Sequence, residues 1–368
     1  MEIAPVHSGR DLDRFVAFPY TLHRADPLWV PPLRRDVYTI LSPKKNPFFQ
    51  HAEQQNFLAL RDGQVVGRIA AIKNDEHQRV HADKVGFYGF FESVDDQGVA
   101  DALFSAAAAW LKQRGFDTMR GPMNPSINDE CGLLVDGFDT PPVILMTHNP
   151  RYYVPLHERA GFTKAKDLIA AEGSGFNPPE RIMRAAQILA ERKGVTLRAV
   201  NMKRFRDEVA LVKKLYNLAW EQNWGFVPMT DAELDHLAVQ LKPIIVPDLV
   251  CFAEVKGEPV GFAVAIPDLN VALKHNPSGR MFPGILKVLW HARKISRLRV
   301  PLLGTIKEYR GRGIDALLYH WIWTKGNANG YSWAEGGWLL EDNAAIMNGM
   351  FQLGFHPYKT YRIYDRPL

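Results

Sequence analysis

The stretch KEYRGRGIDALL (Lys307–Leu318) sets two glycines and two arginines directly in front of an apolar, helix-like run. Glycine permits backbone conformations, and a close approach of a ligand, that a side chain would prevent. The first turn of a helix carries unsatisfied N–H groups and a partial positive charge, which together attract anions. The stretch therefore predicts either a basic turn that begins a helix or a loop that holds phosphate groups.

The segments around this stretch form a pattern that occurs twice in the chain. An apolar strand-like run (299–306) precedes it, and a helix-like run that ends in Leu-Gly-Phe (344–355) follows further on. The first half contains the same order, with an aromatic strand-like run (84–92) followed by an alanine-rich helix (98–116). Two copies of one α/β unit is the simplest interpretation of this repeat.

The repeat sets the predicted domains. We expect the first copy to span residues 1–171 and the second to span residues 195–368, with a linker and a helix over 172–194. Glycine, asparagine and a proline pair cluster in EGSGFNPPE, which is typical of a linker. Each copy is also predicted to contain a β-hairpin, with its turn at Asp62-Gly63 in the first and at Lys256-Gly257 in the second.

Composition places the 368-residue chain among ordinary folded proteins and favours anionic partners. Hydrophobic residues make up 46% and charged residues 23%, with a net charge of +5 and a pI of about 9.0. The sequence lacks the motifs of common RNA-binding modules, zinc fingers and basic zippers, so nucleic acid is not an expected partner.

Cys131 and Cys251 lack metal-ligand spacing, so we expect no metal and a reducing, cytoplasmic compartment. No signal peptide or membrane-spanning segment is predicted, and the oligomeric state stays open.

In residues 299–368 a strand, a Gly-Arg loop, a helix, a further strand, and then Asn, a helix and Leu-Gly-Phe follow one another. This order resembles the GNAT superfamily of acyl-CoA-dependent N-acyltransferases, and the first half resembles it more weakly. The phosphate loop of the family reads Gln/Arg-x-x-Gly-x-Gly/Ala, and the matching positions are Glu308, Gly311 and Gly313. Glu308 and the nearby Asp315 depart from the family pattern by adding negative charge beside the expected pyrophosphate. The resemblance implies an α/β fold of the α+β type, with two tandem copies of a mixed, mostly antiparallel sheet flanked by helices.

The resemblance also implies that acetyl-CoA or a longer acyl-CoA is the co-substrate of the second copy. The implied contacts are Ile306, Arg310, Gly311, Arg312, Gly313, Ile314 and Asn343. In the first copy the corresponding stretch is FESVDDQGVADAL, in which Glu92, Asp95 and Asp96 would repel a pyrophosphate. We therefore expect one cofactor site, and a degenerate first copy with a structural or acceptor-binding role.

Acyl transfer to an amine requires a base for the amine and an acid for the leaving thiolate. The family often uses a Tyr on its last helix as the acid, and that position is Met350 here, which cannot donate a proton. Tyr361 and Tyr364 on the closing strand are candidate substitutes, as is Tyr358, although each also suits plain sheet packing. Glu335 and Glu341 bracket the strand beside the loop and are candidate bases, with a solvated strand end as the alternative for Glu341.

A polar loop in the first copy is the candidate site for the acceptor. It spans residues 121–142, is bounded by prolines, and is longer than a simple connection requires. The candidate substrate-binding residues in it are Asn124, Ser126, Asn128 and Glu130. The alternative is a loop whose Asn and Ser side chains satisfy its own backbone.

Residues 282–299 interleave apolar side chains, one of them Trp290, with Lys, Arg and His. This pattern is typical of a basic amphipathic helix at the inner face of an anionic membrane, or of an ordinary helix packed on the sheet. The first alternative favours a lipid-related substrate, because GNAT-like proteins of this length include acyltransferases of lipid and sphingolipid assembly.

The predicted function is transfer of an acetyl or longer acyl group from acyl-CoA to an amine, including a sphingoid-type amine. The alternative function is a non-catalytic sensor that binds CoA or a lipid with a transferase fold.

Overall fold

The structure is a computed structural model that describes residues 1–175, 179–221 and 223–368. The chain divides into two compact units. Unit 1 comprises Met1–Leu168, Leu269–Arg293 and Lys359–Leu368, and unit 2 comprises Ile169–Asp268 and Lys294–Tyr358.

These units differ from the predicted contiguous ranges. Residues 269–293 and 359–368 belong to unit 1, although the sequence places them in the second copy. The last segment belongs there because it pairs with strands of unit 1, as described below. The predicted linker and helix (172–194) fall in unit 2, and residues 176–178 of that linker lie outside the described residues.

The secondary structure alternates between strands and helices. The strands are β1 (Glu2–Pro5), β2 (Ala52–Arg61), β3 (Gln64–Asn74), β4 (Val85–Ser93), β5 (Thr118–Gly121), β6 (Met123–Asn124), β7 (Glu130–Cys131), β8 (Leu133–Asp136), β9 (Thr163–Ser174), β10 (Val195–Ala199), β11 (Val250–Val255), β12 (Glu258–Pro267), β13 (Arg297–Thr305), β14 (Trp333–Leu340) and β15 (His356–Pro367). The helices are α1 (Gly9–Leu22), α2 (Arg34–Ile40), α3 (Asp75–His81), α4 (Gln97–Lys112), α5 (Tyr153–Arg159), α6 (Glu180–Lys193), α7 (Phe205–Trp220), α8 (Asp231–Leu241), α9 (Asn270–Leu273), α10 (Gly284–Ala292), α11 (Ile314–Ala328) and α12 (Ala344–Gln352). Short 3-10 turns cover Pro47–Gln50, Met202–Arg204, Lys242–Ile244, Pro247–Leu249 and Lys307–Tyr309.

Unit 1 is built on a mixed sheet. Strands β1 to β4 are antiparallel neighbours in chain order, whereas β4 and β5 are parallel. The last part of β15 pairs antiparallel with β5 and with β8. The crossover between the parallel strands contains α4, whose buried face includes Val99, Leu103 and Phe104. Each of these large side chains contributes roughly 1.5–3 kcal/mol by leaving water, which fixes α4 and its N-terminus beside the end of β4.

Unit 2 repeats this topology. Strands β10 to β13 are antiparallel neighbours, β13 and β14 are parallel, and α11 lies in the crossover between them. Along β12 the faces alternate: Ala263 and Ala265 share a core with α11, whereas Phe262 contacts Trp220 of α7. The α11 helix and α7 therefore cover opposite faces of this sheet. The shared topology confirms the predicted repeat and the α+β fold class.

Both predicted hairpins are present. β2 ends at Arg61 and β3 begins at Gln64, so the first turn is at Asp62-Gly63. β11 ends at Val255 and β12 begins at Glu258, so the second is at Lys256-Gly257.

The prediction of one basic amphipathic segment over 282–299 is wrong in its extent. The helix α10 ends at Ala292, and β13 begins at Arg297. Pro301 lacks a backbone N–H and disfavours a helix around it, and the surrounding Leu and Val residues suit a strand. The amphipathic helix is therefore limited to the residues of α10.

Candidate active site

The loop between β13 and α11 presents backbone at the start of a helix. The strand ends at Thr305, a 3-10 turn follows, and Gly313 is the N-cap of α11. Gly311 and Gly313 have φ angles of +69° and +73°, a left-handed backbone that glycine adopts without steric strain. A Cβ atom placed on Gly311 would meet no atom of the described structure within 4 Å. The space beside the loop is therefore open to a ligand.

The first turns of α11 and α4 differ in how their N–H groups are satisfied. No side chain of the described structure caps α11. In α4, the Asp96 Oδ1 atom accepts hydrogen bonds from the N–H groups of Gly98 (2.9 Å) and Val99 (3.3 Å), and Asp96 Oδ2 accepts one from Arg61 (2.6 Å). An anion can approach the first turn of α11, whereas a carboxylate already occupies the corresponding place at α4.

The two arginines of the loop have different surroundings. Arg310 donates from Nη2 to the carbonyl of Ala219 in α7 at 2.6 Å, and from Nε to the carbonyl of Thr305 at 3.2 Å. Its guanidinium thus ties the loop to α7 and to the end of β13. Arg312 is exposed, with its guanidinium carbon 4.9 Å from the ring centre of Tyr309. Both predicted phosphate contacts are exposed, and Arg310 is the one whose guanidinium is held in place by hydrogen bonds to backbone carbonyls.

Glu308 and Asp315, the two acidic residues that depart from the family pattern, also have different surroundings. The Thr305 hydroxyl donates to Asp315 Oδ1 at 2.5 Å. Burial raises the pKa of Asp315 above its usual value, against the hydrogen bond from Thr305 and the charge of Arg310. Glu308 is exposed in the 3-10 turn. Glu308 is therefore the departure that adds a solvated negative charge beside the loop.

The predicted isoleucine contacts are part of the scaffold of the loop. The Ile306 N–H donates to the Val260 carbonyl at 2.9 Å, and its own carbonyl accepts from Tyr309 at 2.9 Å. The Ile314 side chain is buried in the core of unit 2, where it packs with the apolar face of α11. A contact of Ile314 with a ligand would therefore use its backbone N–H in the first turn of the helix.

Glu335 is fully buried on β14 and has partners within unit 2. The Tyr358 hydroxyl donates to Glu335 Oε2, and Arg299 Nε lies 3.8 Å from Glu335 Oε1. Arg299 is 3% exposed, so the two opposite charges face each other in a low-dielectric interior. Tyr358 is half-buried and connects the carboxylate to a more accessible position. The structure thus brings together two of the predicted candidates, Glu335 and Tyr358, and adds Arg299.

Three other predicted residues occupy different elements. Asn343 is the N-cap of α12, and its Oδ1 accepts from the Ile346 N–H at 3.3 Å. Glu341 is half-buried just beyond the end of β14. Tyr361 belongs to unit 1, where it is fully buried and pairs across the sheet with Leu134. Its catalytic role, like that of Glu341, stays a prediction.

Asn and Ser side chains of the polar loop of unit 1 form hydrogen bonds within the loop and to β4. Asn124 Oδ1 accepts from the Phe90 N–H at 2.6 Å. The Ser126 hydroxyl donates to Asp129 at 2.6 Å and accepts from the Asn128 N–H at 3.1 Å. The bond from Asn128 to Ser126 is of the kind that the structural alternative requires, and the bond to Asn124 ties the loop to β4. Acceptor binding by this loop, including Glu130, stays a prediction.

Two buried histidine–carboxylate pairs in unit 1 are missing from the predicted site. His23 Nε2 lies 2.8 Å from Glu92 Oε2, which also accepts a 2.7 Å bond from the Tyr153 hydroxyl. His148 Nε2 lies 2.8 Å from Asp26, and nothing in the described part of the chain is hydrogen-bonded to its buried Nδ1. Burial lowers the pKa of His148, against the pull of Asp26, so a neutral ring can accept a proton at Nδ1. The signal in the sequence is HRAD, in which His23 and Asp26 interrupt an aromatic, proline-rich stretch.

Replacing Asp96 by Ala is expected to lower the free energy of unfolding by about 1–2 kcal/mol, because the first turn of α4 loses its cap. Urea denaturation of the full chain measures the change. Arg61→Ala is the matched control, since it removes the partly exposed ion pair but keeps the cap, and should cost less than about 1 kcal/mol. Equal losses in the two variants would contradict a capping role for Asp96.

Comparisons with known proteins place this topology in a family. The chain is 39% identical to a protein named bacterial ceramide synthase, from Caulobacter vibrioides, across 100% of this chain and 98% of that protein. The sequence profile of the acetyltransferase (GNAT) family matches residues 21–121. The chain belongs to the GNAT superfamily.

Two further comparisons cover nearly all of the chain or all of it. It is 36% identical to Protein YghO of Escherichia coli, over 97% of this chain and 93% of that protein. A tandem GNAT protein from the clavulanic acid biosynthesis pathway has a TM-score of 0.56 at 11% identity, over 100% of this chain and 98% of that chain. This likeness shows the fold, and it confirms the predicted tandem GNAT arrangement.

The GNAT profile and the loop resemblance fall on different copies. Residues 21–121 contain α4 with its Asp96 cap, whereas the loop resemblance rests on residues 299–368. The matched range also contains His23, Asp26 and Glu92 of the buried pairs. The family signal is therefore not confined to the copy that contains the glycine loop.

Proposed function

We propose that this GNAT protein is an N-acyltransferase that moves an acyl group from acyl-CoA to a lipid-related amine. The acyl group is acetyl or longer, and the amine is of the sphingoid type. The relative named bacterial ceramide synthase supports the choice of amine, because its similarity extends over the full chain. The observation that carries the acyl-CoA part is the uncapped first turn of α11 behind Gly311 and Gly313.

The residues around the loop fit the phosphates of CoA. The N–H groups of the first turn of α11 would hold the pyrophosphate, and Gly311 leaves room for it. Arg312 would add positive charge from the solvent side. Asn343 uses its Oδ1 as a helix cap, so its side-chain N–H₂ is the group for the predicted contact with the CoA arm. When bound, acyl-CoA supplies an activated thioester.

Glu335 and Tyr358 are the proposed proton carriers. The amine nitrogen forms a bond to the acyl carbon, the carbon–sulfur bond breaks, and the proton lost by the nitrogen ends on the thiolate sulfur. Tyr358 donates to Glu335, so a proton taken by the carboxylate can return through the hydroxyl. Arg299 compensates the charge of the ionised carboxylate in the buried site.

A thiol-release assay tests the proposed function. Acyl-CoAs of increasing chain length are combined with short polar amines and with long-chain amino alcohols, and free CoA thiol is followed over time. We expect turnover that requires both substrates and favours a long-chain amine. Absence of thiol release across the panel would refute the transferase proposal.

One observation favours the sensor alternative. Met350, at the position of the usual acid, is completely buried, and its side chain packs against Gly336. A sensor would bind CoA and raise its melting temperature, but it would release no thiol with any amine. The same panel, run with a thermal shift measurement, therefore separates the two functions.

We also propose that the protein acts as a peripheral protein at the cytoplasmic face of a membrane. None of the helices in the described ranges is long and apolar enough to span a bilayer. In unit 1, however, Phe282, Leu286, Leu289 and Trp290 are exposed by 76%, 59%, 58% and 63%. Lys287 and Arg293 beside them are also exposed. Apolar side chains flanked by basic ones favour the surface of an anionic bilayer over water.

Replacing Leu289 and Trp290 together by Ser is expected to weaken binding to phosphatidylglycerol-containing vesicles by roughly tenfold or more, since two large apolar side chains no longer leave water. Co-sedimentation measures the bound fraction. The control is Leu218→Ser with Val239→Ser, which removes exposed apolar side chains from unit 2. Equal binding of the two double variants would contradict membrane contact through α10.

A further inference from the structure

We infer that an apolar cavity in unit 2 binds the long alkyl chain of one of the two substrates. The identity of this ligand rests on the proposed function. The cavity lies between α7 and α8 on one side and β11, β12 and β13 on the other. Its empty volume is about 630 Å³, part of which is open to solvent. Protein interiors are close-packed, and the space open to the centres of water-sized molecules is about 80 Å³, several times the roughly 10–15 Å³ that one water needs.

The lining of the cavity has one consistent chemistry. The side chains that face it are mainly aliphatic and include Val209, Val212, Leu237, Ala238, Val264 and Leu302. Among the described residues of the lining Glu208 is the one with a charged side chain, and Arg198 Nη1 donates to both of its carboxylate oxygens at 3.0 Å. A polar ligand would lose its hydrogen bonds to water here and gain few in return. A chain of methylenes loses no hydrogen bonds and removes apolar surface from water.

Two elements of unit 2 connect this cavity to the phosphate loop. Val212 of α7 lines the cavity, and two turns further along the same helix the carbonyl of Ala219 accepts from Arg310. Leu302 lines the cavity from β13, three residues before the strand ends at Thr305. At 3.3 Å per residue this separation is roughly 10 Å. An alkyl chain in the cavity therefore lies beside the elements that hold the loop.

Binding that depends on chain length is the expected signature. The probes are straight-chain carboxylates from hexanoate to tetradecanoate and amines from hexylamine to tetradecylamine, titrated into the full chain by calorimetry. Each methylene that enters the cavity should tighten binding roughly two- to fourfold. Dependence in the carboxylate series assigns the cavity to the acyl donor, and dependence in the amine series assigns it to the acceptor. Affinity that is independent of chain length in both series would overturn the inference.

A matched pair of variants on α8 tests the position of the chain. Ala238→Phe fills the cavity, whereas Val239→Phe adds the same ring at the adjacent position, which is 68% exposed. The first should weaken binding of the longest probe by roughly tenfold, and the second should leave it within about twofold. If Ala238→Phe does not fold, Val212→Phe replaces it, with the exposed Leu218→Phe as control on α7. Equal affinities within a folded pair would overturn the inference.

These experiments can refute the alkyl-chain cavity and the transferase proposal independently of each other. Absence of thiol release would refute the transferase proposal, while probe binding that is sensitive to Ala238→Phe would still support the cavity. Conversely, turnover with a chain-length preference that Ala238→Phe and Val239→Phe leave equally unchanged would refute the cavity and leave the transferase proposal intact.

Discussion

Replacing Gly311 by Asp is expected to weaken the binding of acyl-CoA by roughly 100-fold. The new carboxylate would stand beside the uncapped first turn of α11, where the pyrophosphate is proposed to bind. Two unit charges about 4 Å apart near a protein surface repel each other by up to about 4 kcal/mol, and 100-fold corresponds to about 2.7 kcal/mol. The loop has space for a side chain, so the left-handed backbone, at about 1–2 kcal/mol, is the main expected strain.

The control for this variant lies at the other end of the same helix. Gly330 also has a positive φ, +86°, and a Cβ there would also meet no described atom within 4 Å. Gly330→Asp therefore adds the same charge and similar strain about 20 Å away along α11. Calorimetric titration of both variants with CoA and with acyl-CoA gives the comparison. Similar affinities for the two variants would contradict binding of the phosphates at the glycine loop.

Replacing Glu335 by Gln is expected to reduce kcat by roughly 100- to 1,000-fold while the affinity for acyl-CoA stays close to that of the wild type. Glutamine keeps the shape of the side chain, but it cannot take a proton from the amine. Tyr358→Phe should lower kcat less, because it removes the return path for the proton but leaves the carboxylate. Steady-state thiol release and calorimetric titration together measure the two quantities.

The controls must separate catalysis from folding, because Glu335 also faces a buried arginine. Loss of the carboxylate leaves Arg299 without this compensating charge, which can cost about 3–5 kcal/mol of unfolding free energy. Urea denaturation therefore accompanies the kinetics, and activity is compared only where each variant is folded. Glu258→Gln, at the exposed start of β12 in the same unit, should leave kcat within about twofold. Turnover by folded Glu335→Gln within threefold of the wild type would refute the role of Glu335 as the base.

Local signals in the sequence predict much of the fold. The Asp62-Gly63 and Lys256-Gly257 turns are correct because a hairpin of this kind is encoded by its two turn residues and the strands beside them. The position of α11 directly after the Gly-Arg loop is correct for a similar reason, since the glycines and the apolar run that follows are contiguous. The positions of these elements are therefore specified by residues that are close together in the sequence.

The composition of the units and of the site depends on partners far apart in the chain. The closing segment 359–368 belongs to unit 1 because β15 pairs with β5, more than two hundred residues away. The same applies to side chains: Arg310 bonds to Ala219, and His148 bonds to Asp26. Neither turn chemistry nor hydrophobic period specifies such pairs, so the sequence predicts a basic loop but not where its arginines point.

The first turn of α4 has a side-chain cap and the first turn of α11 has none, and this difference has a thermodynamic consequence. The free N–H groups in the first turn of a helix can donate to a side chain of the protein or to a ligand. In α4 they donate to Asp96. The same carboxylate that stabilises that helix excludes a phosphate from it, so stability and binding compete for one set of donors. At α11 no side chain of the described residues caps the first turn, so a ligand bound there, as proposed, would supply the stability that a cap gives. With acyl-CoA as the proposed ligand, a concentration of 100 times Kd would contribute about 2.7 kcal/mol, so the proposal makes the stability of unit 2 depend on the acyl-CoA supply.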